Sequence, residues 1–447
     1  MNKKIKEKNF NNGFILCINP LVHDFAAFDL WLRPVGLLMI SSFLKSIGFE
    51  IFFLDCLDRH HPALPPTLKK DKKFGTGKFF NEVIAKPEIL SFVPRKYKRY
   101  GLSPDIIRKI LSEIPQPDAV FVTSMMTYWY GGVRETISIV KEIFPEVPVV
   151  LGGIYARLIP EHAKEFSGAD IVCEGSDVKS VISILEKIFQ KKFEDFYNVD
   201  LFIKHPPEQS FYAGSFHVLL CGIGCPFNCS YCASGKLWPA FKRRDIHDII
   251  KEILCAVNSN IRDFAFYDDA LLVDSKNFIK PLLGEVIKKK ILNLRFHTPN
   301  GLHARFIDEE MARLLFLSGF CEPRLSFETS NPFLQKKTGG KVSNEDLLSA
   351  IKNLTSAGFD PSQIKVYLLV GMPGQNDKEI VESINFVKSL KVKPVLAEYS
   401  PIPGTTDWNN LSKVPADPLL HNNTVYAVWA GITDWEGMEK YKKMIRS

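Results

Sequence analysis

The apolar positions fall into two alternating series separated by a stretch without periodicity. In the first, Phe14-Ile-Leu-Cys-Ile18 is an unbroken apolar run closed by Asn19-Pro20, the pattern of a strand buried on both faces. Apolar residues at helical spacing over 35–47 stop at Gly48 and predict a helix. Further strands are predicted at 49–54, 119–123, 147–151 and 169–173, and further helices at 132–144, 160–166 and 178–189. This alternation predicts an α/β fold whose N-terminal part is a doubly wound, Rossmann-like parallel sheet with right-handed crossovers. Ligands of such sheets sit beyond the carboxyl ends of the strands. Asn19, Asp55, Ser124 to Thr127, Gly152-Gly153 and Glu174-Gly175 fall there.

The second series predicts strands at 216–220, 263–267, 293–297, 322–327, 364–369 and 393–399. Helices are predicted between them at 246–257, 278–289, 308–318, 344–357 and 378–390. Six such units are too few for a closed eight-unit barrel and predict a partial (β/α)6 barrel. The expected organisation is therefore a Rossmann-like domain over 1–200, a linker over 201–213 containing Pro206-Pro207, the barrel over 214–405 and a short tail over 406–447. The first domain carries an insertion at about 58–110.

Composition narrows the class. Hydrophobic residues make up 46% and charged residues 24%, which excludes a mostly disordered chain, a collagen-like repeat and a coiled coil. No apolar run approaches the ~18 residues of a membrane span. The polar, Lys-rich start from Met1 to Asn12 leads into a short strand-like run rather than a signal peptide, so a cytoplasmic location is expected. The formal charge is +7 and unevenly spread: between Thr67 and Lys109 stand 12 Lys or Arg against four acids. This stretch reads as a solvated insertion, with a phosphate or nucleic-acid site as the sharper and less favoured alternative.

The nine cysteines change the picture most. Four of them lie in Cys221-Gly-Ile-Gly-Cys225-Pro-Phe-Asn-Cys229-Ser-Tyr-Cys232, directly after the first strand of the second series. Clustering with an odd total argues for metal ligation rather than a disulfide framework. A C-x3-C-x2-C loop can present three thiolates to one face of a [4Fe–4S] cube, leaving one iron open. A zinc site needs a fourth Cys or His at suitable spacing, a place Cys221 fills only formally because it sits at the strand end.

On these residues the chain resembles the radical S-adenosylmethionine (SAM) superfamily, from about Phe216 to Thr405. The resemblance implies that Cys225, Cys229 and Cys232 hold a [4Fe–4S] cluster whose fourth iron binds SAM. It places Phe227, Tyr231, Asp268, Asp269, Glu328, Gly371 and Met372 around SAM. Tyr231 would lie near the adenine, Asp268-Asp269 would receive the methionyl ammonium, and Glu328 would contact the ribose or the amino-acid end. Gly371-Met372 would let backbone approach the adenine. The implied reaction is one-electron cleavage of SAM to a 5′-deoxyadenosyl radical that attacks an unactivated carbon of a small-molecule substrate. It would be fed by an electron donor such as a flavodoxin or ferredoxin. No residue is assigned as catalytic.

The first domain resembles the cobalamin-binding domains that precede such barrels. The resemblance places Ser124, Thr127, Gly152, Gly153, Glu174 and Gly175 against cobalamin and suggests cobalamin-dependent C-methylation. Two departures stand out. The D-x-H-x-x-G motif is absent, the loop after the first strand reading Asn19-Pro-Leu-Val-His23-Asp24, and Ser176 follows Glu174-Gly175. Two alternatives remain: an RNA-modifying methylthiotransferase-like radical enzyme, with Cys17 and Cys56 suggesting a second cluster, and a non-enzymatic zinc- or corrinoid-binding protein.

Overall fold

The structure is a computed structural model describing residues 12–66, 71–207, 209–212, 214–291 and 293–446. Most of the Lys-rich start, together with Lys69 and Lys70, lies outside the described residues. The chain forms two compact units. One gathers residues up to 70, 77–86 and 95–213; the other gathers 71–76, 87–94 and 214 onward. Among the described residues no helix is long and apolar enough to cross a membrane.

In the first unit a parallel sheet is built from β1 (Phe14–Asn19), β2 (Glu50–Asp55), β3 (Ala119–Val122), β4 (Val149–Leu151) and β5 (Ile171–Val172). Its spatial order is β2-β1-β3-β4-β5. The direction of winding reverses between β1 and β3, so the carboxyl ends of those two strands flank the crevice where doubly wound folds bind ligands. Ile15 to Ile18 are fully buried, as the unbroken apolar run requires. Helices α1 (Val35–Ser46), α2 (Tyr130–Ile143) and α3 (Val178–Phe189) cover the sheet; α3 starts where the Asp177 side chain accepts from Ser180 N–H.

Two stretches differ from expectation. Within 201–213 Leu201–Lys204 form a helical turn, Phe211 stacks on Phe53 and the Tyr212 ring lies 4.1 Å below the Arg33 guanidinium. The basic insertion is ordered rather than plain. It holds the helix Pro104–Ser112 and two strands, Asn81–Val83 and Lys98–Tyr100, that join Val22–Asp24 in a small antiparallel sheet. Three of its cations are paired: Arg99 with Glu82 and Glu135, Arg108 with Glu142, and Lys73 with Glu322.

The second unit has two parallel sheets and no closed barrel. The first is β6 (Phe216–Leu219), β7 (Asp263–Phe266) and β8 (Arg295–His297). The second is β9 (Leu302–His303), β10 (Arg324–Glu328), β11 (Lys365–Val370) and β12 (Lys393–Glu398). A single bridge, Phe296 to Phe320, continues the pairing beyond β8, and β10 pairs with the two-residue β9 instead. Helices α4 (Ile246–Asn258), α5 (Ile279–Lys288), α6 (Glu309–Ser318), α7 (Asn344–Ala357) and α8 (Asp377–Ser389) supply the apolar layer. Side-chain caps start α4, α6, α7 and α8, with reciprocal capping boxes at Ser343/Asp346 and Asn376/Glu379. Alternate strand residues such as Phe264, Phe296, Leu325 and Val366 enter this helix-side core. The tail is helical, including α9 (Asn423–Trp429).

Candidate functional site

The cysteine loop leaves β6 and returns through the short pair Gly222–Ile223 with Lys242–Arg243. Its base is clamped. Asp268, fully buried just beyond β7, accepts from Arg243 Nη1 at 2.7 Å and from the Cys221 N–H at 3.0 Å. Arg243 Nη2 also donates to the Ala270 and Leu271 carbonyls. Burial pushes the Asp268 carboxyl up and the neighbouring guanidinium opposes this. Both Asp268 oxygens thus serve the loop, which gives this residue a structural task besides the ammonium contact expected of it. Asp269 is held separately, accepting from Ser234 Oγ at 2.5 Å.

Within the loop Cys229 is buried, Cys225 half-buried and Cys232 exposed, and the Ser234 N–H points at the Cys232 sulfur, 3.4 Å away. Burial pushes the Cys229 thiol up to about 11, with the Lys341 ammonium working against it. Burial also raises Cys225. Among the described residues no group of three or more His, Cys, Asp or Glu is arranged to hold a single metal ion. In a cube each thiolate would bind its own iron, so the three ligands can stand at separate corners.

Tyr231, between the last two cysteines, has a buried hydroxyl set against the Cys229 sulfur and packs with Met372, Tyr399 and Tyr426. Burial, with Glu328 and Cys229 nearby, raises its pKa. The Phe227 ring lies tilted against His303, with centroids 5.1 Å apart. Glu328 ends β10 in a left-handed conformation, φ +70°, at a register shift against β11. It meets Lys341 at 2.8 Å, with both side chains nearly enclosed. Nothing in the sequence analysis singled out Lys341 or Arg243; the available signal was the turn Thr338-Gly339-Gly340-Lys341.

In the first unit the predicted ligand residues split. Ser124, Gly152 and Gly153 are knitted together: Ser124 Oγ donates to the Gly152 carbonyl at 2.7 Å, and the Ile154 N–H to the Ser124 carbonyl. Gly153 has φ +90°, and a Cβ there would stand 2.3 Å from the Ser124 oxygen. Thr127 is buried in the short helix that follows. Glu174 is exposed and paired with Lys164, and Gly175 packs on Ser180. His23 is committed elsewhere, its Nε2 lying 2.6 Å from Glu135, which Arg99 also engages.

The profile of the radical SAM superfamily matches residues 219–387, and that of the B12 binding domain matches residues 94–182. The chain carries a radical SAM domain behind a B12-binding domain. It is an enzyme of the radical SAM type. It is 23% identical to an uncharacterised methyltransferase of Pyrococcus horikoshii over 69% of this chain and 73% of that protein. It is 24% identical to the ribosomal protein uS12 methylthiotransferase RimO of a Nitratiruptor species over 61% of this chain and 62% of that one. The anaerobic magnesium-protoporphyrin IX monomethyl ester cyclase of Rubrivivax gelatinosus is also 24% identical, over 64% and 57%. The chain therefore spans less than two thirds of the latter two proteins.

Among solved structures, the radical SAM methyltransferase TsrM of Kitasatospora setae, with cobalamin and a [4Fe–4S] cluster bound, superposes with a TM-score of 0.65. Identity is 16%, covering 92% of this chain and 84% of that one. The cobalamin-dependent radical enzyme OxsB gives 0.56 at 12% identity, over 98% and 56%. These likenesses establish the fold.

Gly371, whose neighbour Met372 shares a cluster with Tyr231, has a packing reason of its own. It has φ +93°, and a Cβ there would fall 2.5 Å from the Ala427 Cβ of α9. The Gly371 and Met372 N–H groups both donate to Gln375 Oε1, and the Met372 side chain is buried. The tail helix thus already requires a glycine at this position, besides the approach of its backbone to adenine expected from the sequence.

Proposed function

We propose that this chain is a cobalamin-dependent radical SAM enzyme that modifies an unactivated carbon of a small molecule, with methyl transfer as its outcome. The observation that carries the reading is the three-thiol loop at the end of the first strand of the second unit, in a chain where a B12-binding domain precedes that unit. Cys225, Cys229 and Cys232 would hold the cluster; Ser124, Thr127 and the Gly152-Gly153 turn would face cobalamin. Bound there, the cluster with SAM supplies one-electron bond cleavage and cobalamin a methyl carrier. The chain's own residues do the positioning. Arg243 and Asp268 hold the loop's base, Asp269 stands ready beside Ser234 for a cationic group, and Tyr231, Met372, Tyr399 and Tyr426 form an apolar wall that keeps water out. The names of the P. horikoshii relative and of TsrM support methyl transfer.

The methylthiotransferase reading is not adopted. Cys17 lies inside β1 and Cys56 just beyond β2, both fully enclosed in the core of the first unit, where burial pushes the Cys17 thiol up to about 12 and Cys56 well above its ordinary range.

Anaerobic purification with iron and cobalt counts, followed by incubation with methyl-labelled SAM and candidate substrates, tests the proposal. About four irons, bound corrinoid and label transferred to carbon are expected. Zinc without iron, or eight irons without cobalt, overturns it.

A further inference from the structure

The turn Thr338-Gly339-Gly340-Lys341 lies against the cysteine loop. The Ser230 N–H donates to the Thr338 carbonyl at 3.3 Å, and a Cβ on Gly339 would stand 3.2 Å from both the Asn228 oxygen and the Cys229 Cα. This contact delivers Lys341 to the thiol triad. Its side chain is only 13% exposed, its ammonium lies 5.6 Å from the Tyr231 ring centre, and Glu328 pins it at 2.8 Å. The ion pair with Glu328 keeps the lysine an ammonium. The charge is thus held beside the loop that carries the triad, between the Glu328 carboxylate and the ring of Tyr231, the residue that separates Cys229 from Cys232.

We infer that Lys341 is a positioning residue whose fixed charge sets the reduction potential of the cluster held by Cys225, Cys229 and Cys232, with Glu328 as its counterweight. The inference rests on the radical SAM reading above. Cluster potentials follow net local charge and solvent exposure. An ammonium in a water-poor pocket acts with little screening, and it favours the cluster state that carries one more electron. The strained φ of Glu328 fits this role, because a backbone held in a sparsely populated region aims the carboxylate at Lys341.

The test is a redox titration of the reconstituted, substrate-free full chain, followed by the spin signal of the reduced cluster. Lys341→Met is expected to shift the midpoint to a more negative potential, Lys341→Arg to restore it, and Glu328→Gln to shift it the opposite way. Opposite signs separate a charge effect from loosened packing, which would move both variants alike. An unchanged midpoint in an iron-replete Lys341→Met protein, or shifts of the same sign in both variants, overturns the inference. If Lys341→Met does not take up iron, the sign of the Glu328→Gln shift decides. Failure of the unmutated chain to bind iron overturns the radical SAM reading itself and is recognised before any variant is made.

Discussion

Arg243 and Asp268 close the cysteine loop like a clasp: a buried 2.7 Å ion pair joins the strand that ends the loop to the residue just past β7, and Asp268 also holds the Cys221 N–H at the loop's start. Removing one partner of a buried pair strands the other charge. Arg243→Ala is expected to cost roughly 3–5 kcal/mol of stability and to lower iron uptake. Thermal unfolding and an iron count of the purified variant check both effects. A variant as stable and as iron-rich as the parent would show that the clasp is dispensable.

The three cysteines are not equivalent in exposure, but a cube needs all of them. Single Cys225→Ala, Cys229→Ala and Cys232→Ala variants are expected to lose most of the bound iron and all SAM cleavage while keeping the fold. Iron analysis, circular dichroism and release of 5′-deoxyadenosine from anaerobically prepared protein check this. Cys17→Ala, in the other unit, is expected to leave iron content unchanged.

His303 is buried between Phe227 and Phe306, and burial, aided by Lys341 and Arg305, lowers its pKa from 6.5 to about 3. Between those two values the unfolded chain binds a proton that the folded chain refuses, so stability falls as pH drops from 6.5 toward 3 and is fully present above 6.5. The shift corresponds to an upper bound of about 4–5 kcal/mol. The difference in unfolding free energy between the unmutated chain and His303→Phe, followed across pH 4–7, is expected to narrow or reverse as pH falls. A pH-independent difference would show that His303 titrates normally.

Gly153 and Gly371 each combine positive φ with a Cβ position already occupied, by the Ser124 backbone and by Ala427 respectively. Alanine at either site is expected to destabilise by roughly 2–4 kcal/mol. Calorimetry on each variant checks the size. Ala427→Gly in the Gly371→Ala background is expected to recover part of the loss, because it removes the atom that clashes.

Long periodic elements could be read from the sequence because burial on one face repeats its demand every turn or every second residue. The runs at 178–189 and 344–357 end where the structure ends them. The strand predicted at 322–327 begins instead at Arg324, because the preceding residues bridge back to β8 at Phe296. The two-residue β9 is too short to show any alternation. The thiol triad was legible because its chemistry depends on local spacing. Arg243, Lys341 and Ala427 were not, since each acts on a residue distant in sequence and carries no periodic mark. Gly371 shows the same limit: its contact with Ala427 joins residues 56 positions apart and leaves no mark in the sequence pattern.

The contact between Gly371 and Ala427 also bears on how such enzymes diversify. A helix that touches a strand-end glycine through its own methyl group cannot be exchanged by itself. Grafting the terminal segment of a relative, as one would to transplant its substrate preference, requires moving the 371–375 turn with it as a single cassette, and natural recombination here faces the same requirement.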